Sequence, residues 1–511
     1  NVAEMREASR RFVGFGQNVG AADIHGDVWY GSYNALPCRD GLRNPDRTWA
    51  TGGDPRSLLD GTRFGAFTIP LNEEGLPDEE DAEHCLVPFD EWPMAISPDA
   101  GFIANANNDI AGMTTDDDLT NDAWYLGYDF DVGYRATTIT TRLSELAASS
   151  TGSLEAMRAL QADHHSPTGR HLGPIALAAL ERAQALDTGD PAPTPEEQRL
   201  LDLYLANEAA FDEVATRLDT WLTRGAQAES GVETFYESPT QEQREAAVAT
   251  MIWNEWLRAM HDAIFGDEDV AYVFEDDSGL RVKALVWLLE GRGAGNPDNL
   301  ASWDTTTQES VFFDDTTTGA VVERSDEILL TALASALSRL GAAPDPEVPG
   351  VGGFDTTDMT QWLWGLRHQV RFQSLVTQFA GDIPEVALLG RDINTTRLPL
   401  FPGLHDGDPR ASAPWFPRHS DLFAVDAAHP PLVTGAPYTF GNGPVMRMVF
   451  HMQPGNVTGV NIVPGGQSAI ADSEHFDDQA QLWLANDVLP ARFELADVLA
   501  GATGREVFAP E

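Results

Sequence analysis

The chain has 511 residues, 42% hydrophobic and 9% aromatic, enough to bury the cores of roughly two to four domains or of one large composite domain. Its 32 Lys and Arg against 80 Asp and Glu give a net charge of −48, which opposes binding to nucleic acid and to anionic membrane surfaces. Such a charge is typical of a strongly solvated surface; the alternative is a set of carboxylates arranged for cations or cationic substrates. No apolar run reaches the roughly 18–20 residues that span a bilayer.

Two further features of the sequence are its first residue and its cysteines. Residue 1 is Asn and no signal peptide follows it, which indicates a processed, trimmed or partial chain. The cysteines, Cys38 and Cys85, are too few for a cysteine-rich scaffold or a four-cysteine zinc site. Both lie in loop sequence, where one disulfide bridge in an exported protein and two free thiols remain open alternatives.

Residues 1–135 are predicted to consist of sheet strands and loops. The segment Asp23–Asp27 lies between the apolar arms Val19–Ala22 and Val28–Tyr33, which predicts a β-hairpin. A proline-rich stretch follows and predicts mostly loop. The next segment, Gly101–Asn105, is predicted to form a short strand.

Residues 136–345 are predicted to be mainly helical, because apolar residues recur there at helical spacing. Ile139, Leu143 and Leu146 share one helix face, and Ser153 is a suitable N-cap for a second helix. Further helices are predicted at Pro195–Trp221, Gln241–Phe265, Arg281–Leu289 and Glu327–Leu340.

Residues 346–511 are predicted to be β-rich and to end in a helix. Val445–Met452 and Gly459–Val463 have the composition of strands, and Asp477–Leu489 predicts the final helix. Strands, then helices, then strands again are typical of an α+β fold and not of a parallel βαβ series.

Familiar cofactor and nucleophile motifs are absent from the sequence. There is no Gly-rich phosphate loop, no HExxH and no G-x-S-x-G, so we expect no organic cofactor and no α/β-hydrolase elbow. His164, His165 and His171 resemble metal ligands but lack a Cys or a spaced carboxylate partner in the sequence, and they are interpreted as solvated or core histidines.

An amide-rich segment, Asn105-Ala106-Asn107-Asn108, follows the strand predicted before it. Asn tolerates left-handed backbone and caps helices, so one interpretation is a simple turn. The other is functional, since a carboxamide N–H is an uncharged donor that can bind an oxyanion.

Arg135 lies between an aromatic-rich segment and the helix predicted from Ala136. One interpretation is an arginine at a helix start that pairs with Asp129 or Asp131. The other is a permanent cation that orients a neighbouring group in a site.

Together these passages resemble the β-chain of the penicillin acylase (penicillin amidase) family of N-terminal-nucleophile hydrolases. The resemblance begins with the hairpin Ala22–Tyr33, where Asp27 replaces the family's Asn, and continues through Ile96–Asn108 and Tyr125–Arg135. Further similar motifs are Met157–Ser166, Leu218–Leu222, Gly443–Val449 and Val463–Gln479. Each motif is weak alone, but together they span nearly the whole chain in the family's order.

The resemblance implies part of a four-layer αββα sandwich with a large helical insertion. It also implies a periplasmic or secreted protein whose partners are an upstream α-chain and the N-terminal part of the β-chain. The expected activity is hydrolysis of a linear amide of the penicillin or acyl-amide type, in an antibiotic biosynthetic process.

In this family an N-terminal Ser, exposed by processing, attacks the amide carbonyl while its own α-amino group acts as base. The oxyanion is held by a backbone N–H and by an Asn that Asn107 matches, and Arg135 matches an Arg that orients the site. The Ser is expected upstream of Asn1, which has neither hydroxyl nor thiol, so this piece alone is expected to be inactive.

Family members often bind a structural Ca²⁺ through aspartates, and Asp122 is the nearest match to one ligand. Asp116–Asp118 compete with it because the spacing here is longer, and an acidic solvated loop is a further alternative.

Two function classes follow from these residues. An amide hydrolase predicts that Asn107 and Arg135 converge on one cleft, about a side chain's reach apart. The alternative is a non-catalytic secreted binding protein that retains the fold, and a glycan- or metal-binding protein built on the acidic surface is a third possibility.

Overall fold

The computed structural model describes the chain except residues 15, 65–70, 77–85, 117, 190–191, 269, 275–276, 292–299, 320, 349, 375–382, 384–390, 396, 401–414, 427, 442, 505–506 and 509–511. Two compact units alternate along the sequence. Unit 1 comprises Asn1–Arg158, Val449–Val460 and Pro490–Glu511, and unit 2 comprises Ala159–Met448 and Asn461–Leu489. The division into three consecutive stretches stays a prediction.

Unit 1 opens with helix α1 (Val2–Ala8), which Asn1 caps by accepting the N–H of Glu4 at 3.0 Å. Three antiparallel strands follow in the order β1-β2-β3. They are β1 (Val19–Ala22), β2 (Val28–Gly31) and β3 (Met94–Ile96). Ala22 pairs with Val28 across the turn, so the predicted hairpin is confirmed.

The strand predicted at Gly101–Asn105 is wrong, because this segment belongs to none of the described ladders. The amide side chains beside it bond to nearby backbone instead. Asn105 Oδ1 accepts the N–H of Asn107 and Asn108 Oδ1 accepts that of Ala106. Such local side-chain bonds offer the backbone an alternative to a sheet ladder.

Helices α2 (Tyr134–Ser149) and α3 (Leu154–Gln161) complete the first part of the chain. Ile139, Leu143 and Leu146 are half-buried along one side of α2, as their spacing predicts. The hydroxyl of Ser153 accepts the N–H of Ala156 at 3.1 Å and so caps α3 as predicted.

Unit 2 is built on helices, four of which overlap the helices predicted at Pro195–Trp221, Gln241–Phe265, Arg281–Leu289 and Glu327–Leu340. The helices are α4 (Pro167–Leu186), α5 (Pro195–Thr223), α6 (Gln241–Phe265), α7 (Ala271–Phe274), α8 (Ser278–Gly291) and α9 (Ser325–Gly341). Thr194 and Thr240 start α5 and α6 with capping boxes. Every residue from Ala247 to His261 is buried, so α6 is the central helix of this unit. None of the described helices is both long and apolar enough to cross a membrane.

The strands of the second half are short. They are β4 (Trp303–Asp304), β5 (Glu309–Ser310), β6 (Gln369–Val370), β7 (Phe416–Pro417), β8 (Arg447–Gln453), β9 (Asn456–Ile462) and β10 (Leu489–Ala491). β4 pairs with β5, β6 with β7, and β9 lies between β8 and β10. Both strands predicted in this region are confirmed with shifted ends.

The final helix predicted at Asp477–Leu489 is shorter in the structure, where α10 covers only Ala480–Leu484. A further short helix, α11 (Leu495–Ala500), follows it. Asn486 stops α10 because its φ of 54° is left-handed. The N–H of Asp487 then bonds to the carbonyl of Leu482 at 2.7 Å, as at many helix C-termini.

A buried charge cluster lies in unit 2. Asp426 is 1% exposed and accepts hydrogen bonds from Arg418 and Arg447, each at 2.7 Å. Burial opposes ionisation of Asp426, but Arg418, the hydrogen bond with His419 and Arg447 together outweigh it and hold the pKa of the Asp426 carboxyl well below the usual range. Removing one partner of such a buried group is strongly destabilising.

Asp421, also fully buried, has the opposite electrostatic character. Its Oδ2 accepts bonds from the Ser166 hydroxyl at 2.5 Å and from the Asn254 amide at 3.2 Å. Both donors are neutral, and burial raises the pKa of Asp421 from 3.8 to about 7. Below about pH 7 the folded protein therefore favours the protonated carboxyl.

We expect Asp421→Asn to change how stability depends on pH. A raised folded-state pKa contributes stability that is full below about pH 4 and is lost as pH rises to about 7. Relative to the variant, the wild-type free energy of unfolding should fall by up to about 1.4 kcal/mol per pH unit between pH 5 and 7 and then level off. Urea unfolding across pH 5–8 measures this.

The matched control is Asp472→Asn, whose carboxylate is exposed. It should run parallel to wild type at every pH. Parallel curves for Asp421→Asn as well would contradict a protonated Asp421.

Candidate functional site

The amide-rich segment forms a tight turn in unit 1. Asn107 has a φ of 62°, a left-handed conformation that Asn tolerates. Its backbone N–H donates to Asn105 Oδ1 at 3.3 Å, and its carbonyl accepts the N–H of Asp131 at 2.9 Å. The backbone of Asn107 is thus held on both sides, and its side chain is not needed to form the turn.

Tyr30 of β2 anchors this turn to the sheet. Its hydroxyl accepts the amide N–H of Asn105 at 3.0 Å and donates to Asn18 Oδ1 at 2.6 Å. Burial raises the pKa of Tyr30, so the hydroxyl stays neutral and can both donate and accept.

Arg135 lies in the first turn of α2, and its Nη2 reaches three acceptors. These are the carbonyl of Ala106 at 3.0 Å, Asn107 Oδ1 at 2.8 Å and Asp131 Oδ2 at 2.9 Å. Of the two carboxylates considered as partners, Asp131 forms the ion pair and Asp129 is exposed. The structure therefore brings Asn107 and Arg135 together.

This contact decides which way the Asn107 carboxamide points. A guanidinium has five N–H donors and no acceptor, so the amide atom that faces Arg135 is the oxygen. The Nδ2 donors then lie on the other side of an exposed side chain. No described residue accepts a hydrogen bond from this Nδ2, so it is available to a ligand.

Asp122 lies elsewhere in the same unit. Its carbonyl accepts a hydrogen bond from Arg47, while its buried Oδ2 has no hydrogen-bond partner among the described residues. Burial, and then the carboxylates of Asp116 and Asp109, raise the pKa of Asp122. An unsatisfied oxygen in a negative surrounding suits a cation.

A complete ligand set is not assembled around it, however. Asp116 accepts from the Asn121 amide at 2.7 Å, Asp118 accepts from Thr120, and Asp117 lies outside the described residues. Across the part of the chain that the structure describes, no group of three or more His, Cys, Asp or Glu side chains is placed to hold a metal ion. The fit to calcium is therefore partial.

The remaining candidates from the sequence are two cysteines and three histidines. Cys38 is buried and disulfide-bonded, and Cys85 lies outside the described residues. His164 and His165 are half-buried in unit 2, and His171 contacts Glu290 at 2.7 Å. Burial lowers the pKa of His164, but the Glu229 carboxylate outweighs that effect and raises it.

The family model for penicillin amidase matches residues 1–500. The chain belongs to the penicillin amidase family. It is also similar in structure to the thermostable penicillin G acylase from Alcaligenes faecalis, with a TM-score of 0.51 and 17% sequence identity. That match covers 100% of this chain and 70% of the other. No match was found among curated proteins.

These comparisons confirm the family resemblance and a mixed helix and sheet fold similar to that of a penicillin acylase. The four-layer sandwich stays a prediction. Sequence reasoning named Asn107 and Arg135, which the structure brings into contact, and their catalytic roles stay predictions; it missed Tyr30 and the backbone contact from Asp131. The spacing of Asp131 and Arg135 was a visible signal for one ion pair, whereas no sequence motif marks Tyr30.

We expect Tyr30→Phe to loosen the turn around Asn107. The change removes the hydrogen bond to Asn18 and leaves the Asn105 amide without its acceptor, which should lower the free energy of unfolding by about 1–2 kcal/mol. Urea denaturation measures the loss. Tyr128→Phe is the control, since Tyr128 is exposed, and an equal effect of both changes would contradict this role of the Tyr30 hydroxyl.

Proposed function

We propose that this penicillin amidase family chain is part of an enzyme that hydrolyses a linear acyl amide through an acyl-enzyme. The observation that carries the proposal is the Arg135–Asn107 hydrogen bond at 2.8 Å, which leaves the exposed amide N–H groups of Asn107 facing away from the cation. A neutral, fixed donor of this kind suits an oxyanion.

The proposed reaction begins when a hydroxyl oxygen bonds to the amide carbonyl carbon and passes its proton to a base. The carbonyl oxygen then carries a negative charge that the Nδ2 hydrogen of Asn107 stabilises. Because that charge exists fully only in the tetrahedral state, the contact lowers the barrier rather than strengthening ground-state binding. The Arg135 guanidinium donates to Asn107 Oδ1, which polarises the carboxamide and makes its N–H a stronger donor.

The tetrahedral state collapses when the C–N bond breaks and the leaving nitrogen takes the proton. Water then hydrolyses the ester, which releases the acid and restores the hydroxyl. In this proposal the hydroxyl is that of an N-terminal Ser upstream of Asn1, with its α-amine as the base. Asn1 itself has no hydroxyl, and its side chain caps α1.

Several wider features belong to the same proposal. The proposed catalytic assembly includes an α-chain and the N-terminal part of the β-chain. The protein acts in the periplasm or outside the cell on a small-molecule amide of penicillin type.

The donor role is tested in the full-length protein with a chromogenic acyl anilide. Asn107→Gly should lower kcat about 10²–10³-fold, because it removes an oxyanion donor. Gly accepts the left-handed φ of 62°, so the loss would report on the carboxamide and not on backbone strain. Asn107→Ala should lose at least as much, and wild-type turnover in the Gly variant would overturn the assignment.

We also propose that Asp122 is a ligand of a structural Ca²⁺, which would neutralise charge in this acidic loop. Added CaCl₂ should then raise the melting temperature of wild type and have less effect on Asp122→Asn, since the change removes the negative charge and one of the two carboxylate oxygens. The control is Asp129→Asn, an exposed carboxylate in the same unit. Equal calcium-dependent shifts in all three proteins would exclude Asp122 as a ligand.

A further inference from the structure

Asp131 contacts both Arg135 and Asn107, the two residues of the candidate site. Its Oδ2 accepts from Arg135 at 2.9 Å, and its backbone N–H donates to the carbonyl of Asn107 at 2.9 Å. Its Oδ1 accepts the N–H of Gly133 at 3.2 Å, at the turn from which α2 begins. One residue thus contacts the backbone of the proposed oxyanion donor and the side chain that orients it.

The carboxylate itself is held in place. The side chains of Asp131 and Arg135 are 11% and 17% exposed, so water and salt screen their ion pair less than a pair on the open surface. The bond from Gly133 fixes the second carboxylate oxygen. A carboxylate held in this way can fix the guanidinium that it binds.

Arg135 depends on that support. Nη2 has two hydrogens for its three acceptors, so at least one hydrogen is shared. The charged acceptor forms the strongest of these bonds and sets the position of the guanidinium group. Without Asp131 the remaining acceptors are the carbonyl of Ala106 and the carboxamide oxygen of Asn107, and neither is charged.

We propose that Asp131 is a positioning residue that acts through Arg135 to fix the carboxamide of Asn107 for the oxyanion. The inference rests on the proposed amide hydrolysis. Asp131 does not touch the reacting atoms. Its effect is geometric, and a displacement of about 1 Å in a catalytic group can cost roughly 10²-fold in rate.

The test is Asp131→Asn in the full-length protein with the same acyl anilide. We expect kcat to fall about 10- to 100-fold while KM changes less than about threefold, because the oxyanion contact exists only in the transition state. Asp131→Glu, which keeps the charge, should restore part of kcat. Asp129→Asn makes the same charge change on an exposed side chain and should leave kcat within about twofold.

A double-mutant cycle separates positioning from general loss of structure. If Asp131 acts through Arg135, then Asp131→Asn should cost less than about threefold more in an Arg135→Lys background. A melting temperature close to that of wild type would show that each variant is folded. Equal losses in both backgrounds, a loss confined to KM, or wild-type kcat in Asp131→Asn would overturn the inference.

The experiments give different results if the proposed function fails and if only the inference about Asp131 fails. If Asn107→Gly hydrolyses the anilide as fast as wild type, the oxyanion role fails, and the Asp131 inference fails with it. If turnover depends on Asn107 and Asp131→Asn behaves like Asp129→Asn, only the inference about Asp131 is lost.

Discussion

The chemistry of the candidate site depends on the hydrogen bond from Arg135 to the carboxamide oxygen of Asn107. An Asn side chain presents an acceptor and a donor that differ little in shape, so its neighbours must decide which one faces a ligand. A guanidinium can only donate, and it therefore turns the amide so that its N–H groups point the other way. A water molecule in place of Arg135, which can both donate and accept, would leave both orientations available.

The backbone around Asn107 is also held in place by hydrogen bonds. Left-handed φ values are unfavourable for most residues, and such a backbone persists only when its surroundings hold it. Here Asn105 and Asp131 hold the peptide groups on either side, and Tyr30 ties Asn105 to β2. Polar side chains in this turn bond to backbone, and that is why Asn107 is left with an exposed donor.

The sequence predicted an element correctly where a periodic pattern runs over many residues. It predicted an element wrongly where a single side chain determines whether the element forms or where it ends. The bounds predicted for α6 match those of the structure, and the hairpin pairs as predicted. The strand at Gly101–Asn105 failed because amides near its end bond locally, and the last helix is shorter because Asn486 turns left-handed. No periodicity contains that information, since each outcome depends on one rotamer or one φ angle.

The two interpretations of Arg135 do not exclude each other. Pairing with an aspartate and orienting a neighbour were posed as alternatives, and the structure contains both contacts on a single nitrogen. The ion pair does not compete with the functional contact, because a flexible arginine without a fixed counterion would present no defined donor to Asn107. An ordinary helix-start ion pair and a site residue can therefore be the same arginine. The counterion then belongs to any account of the site, although its side chain reaches no ligand.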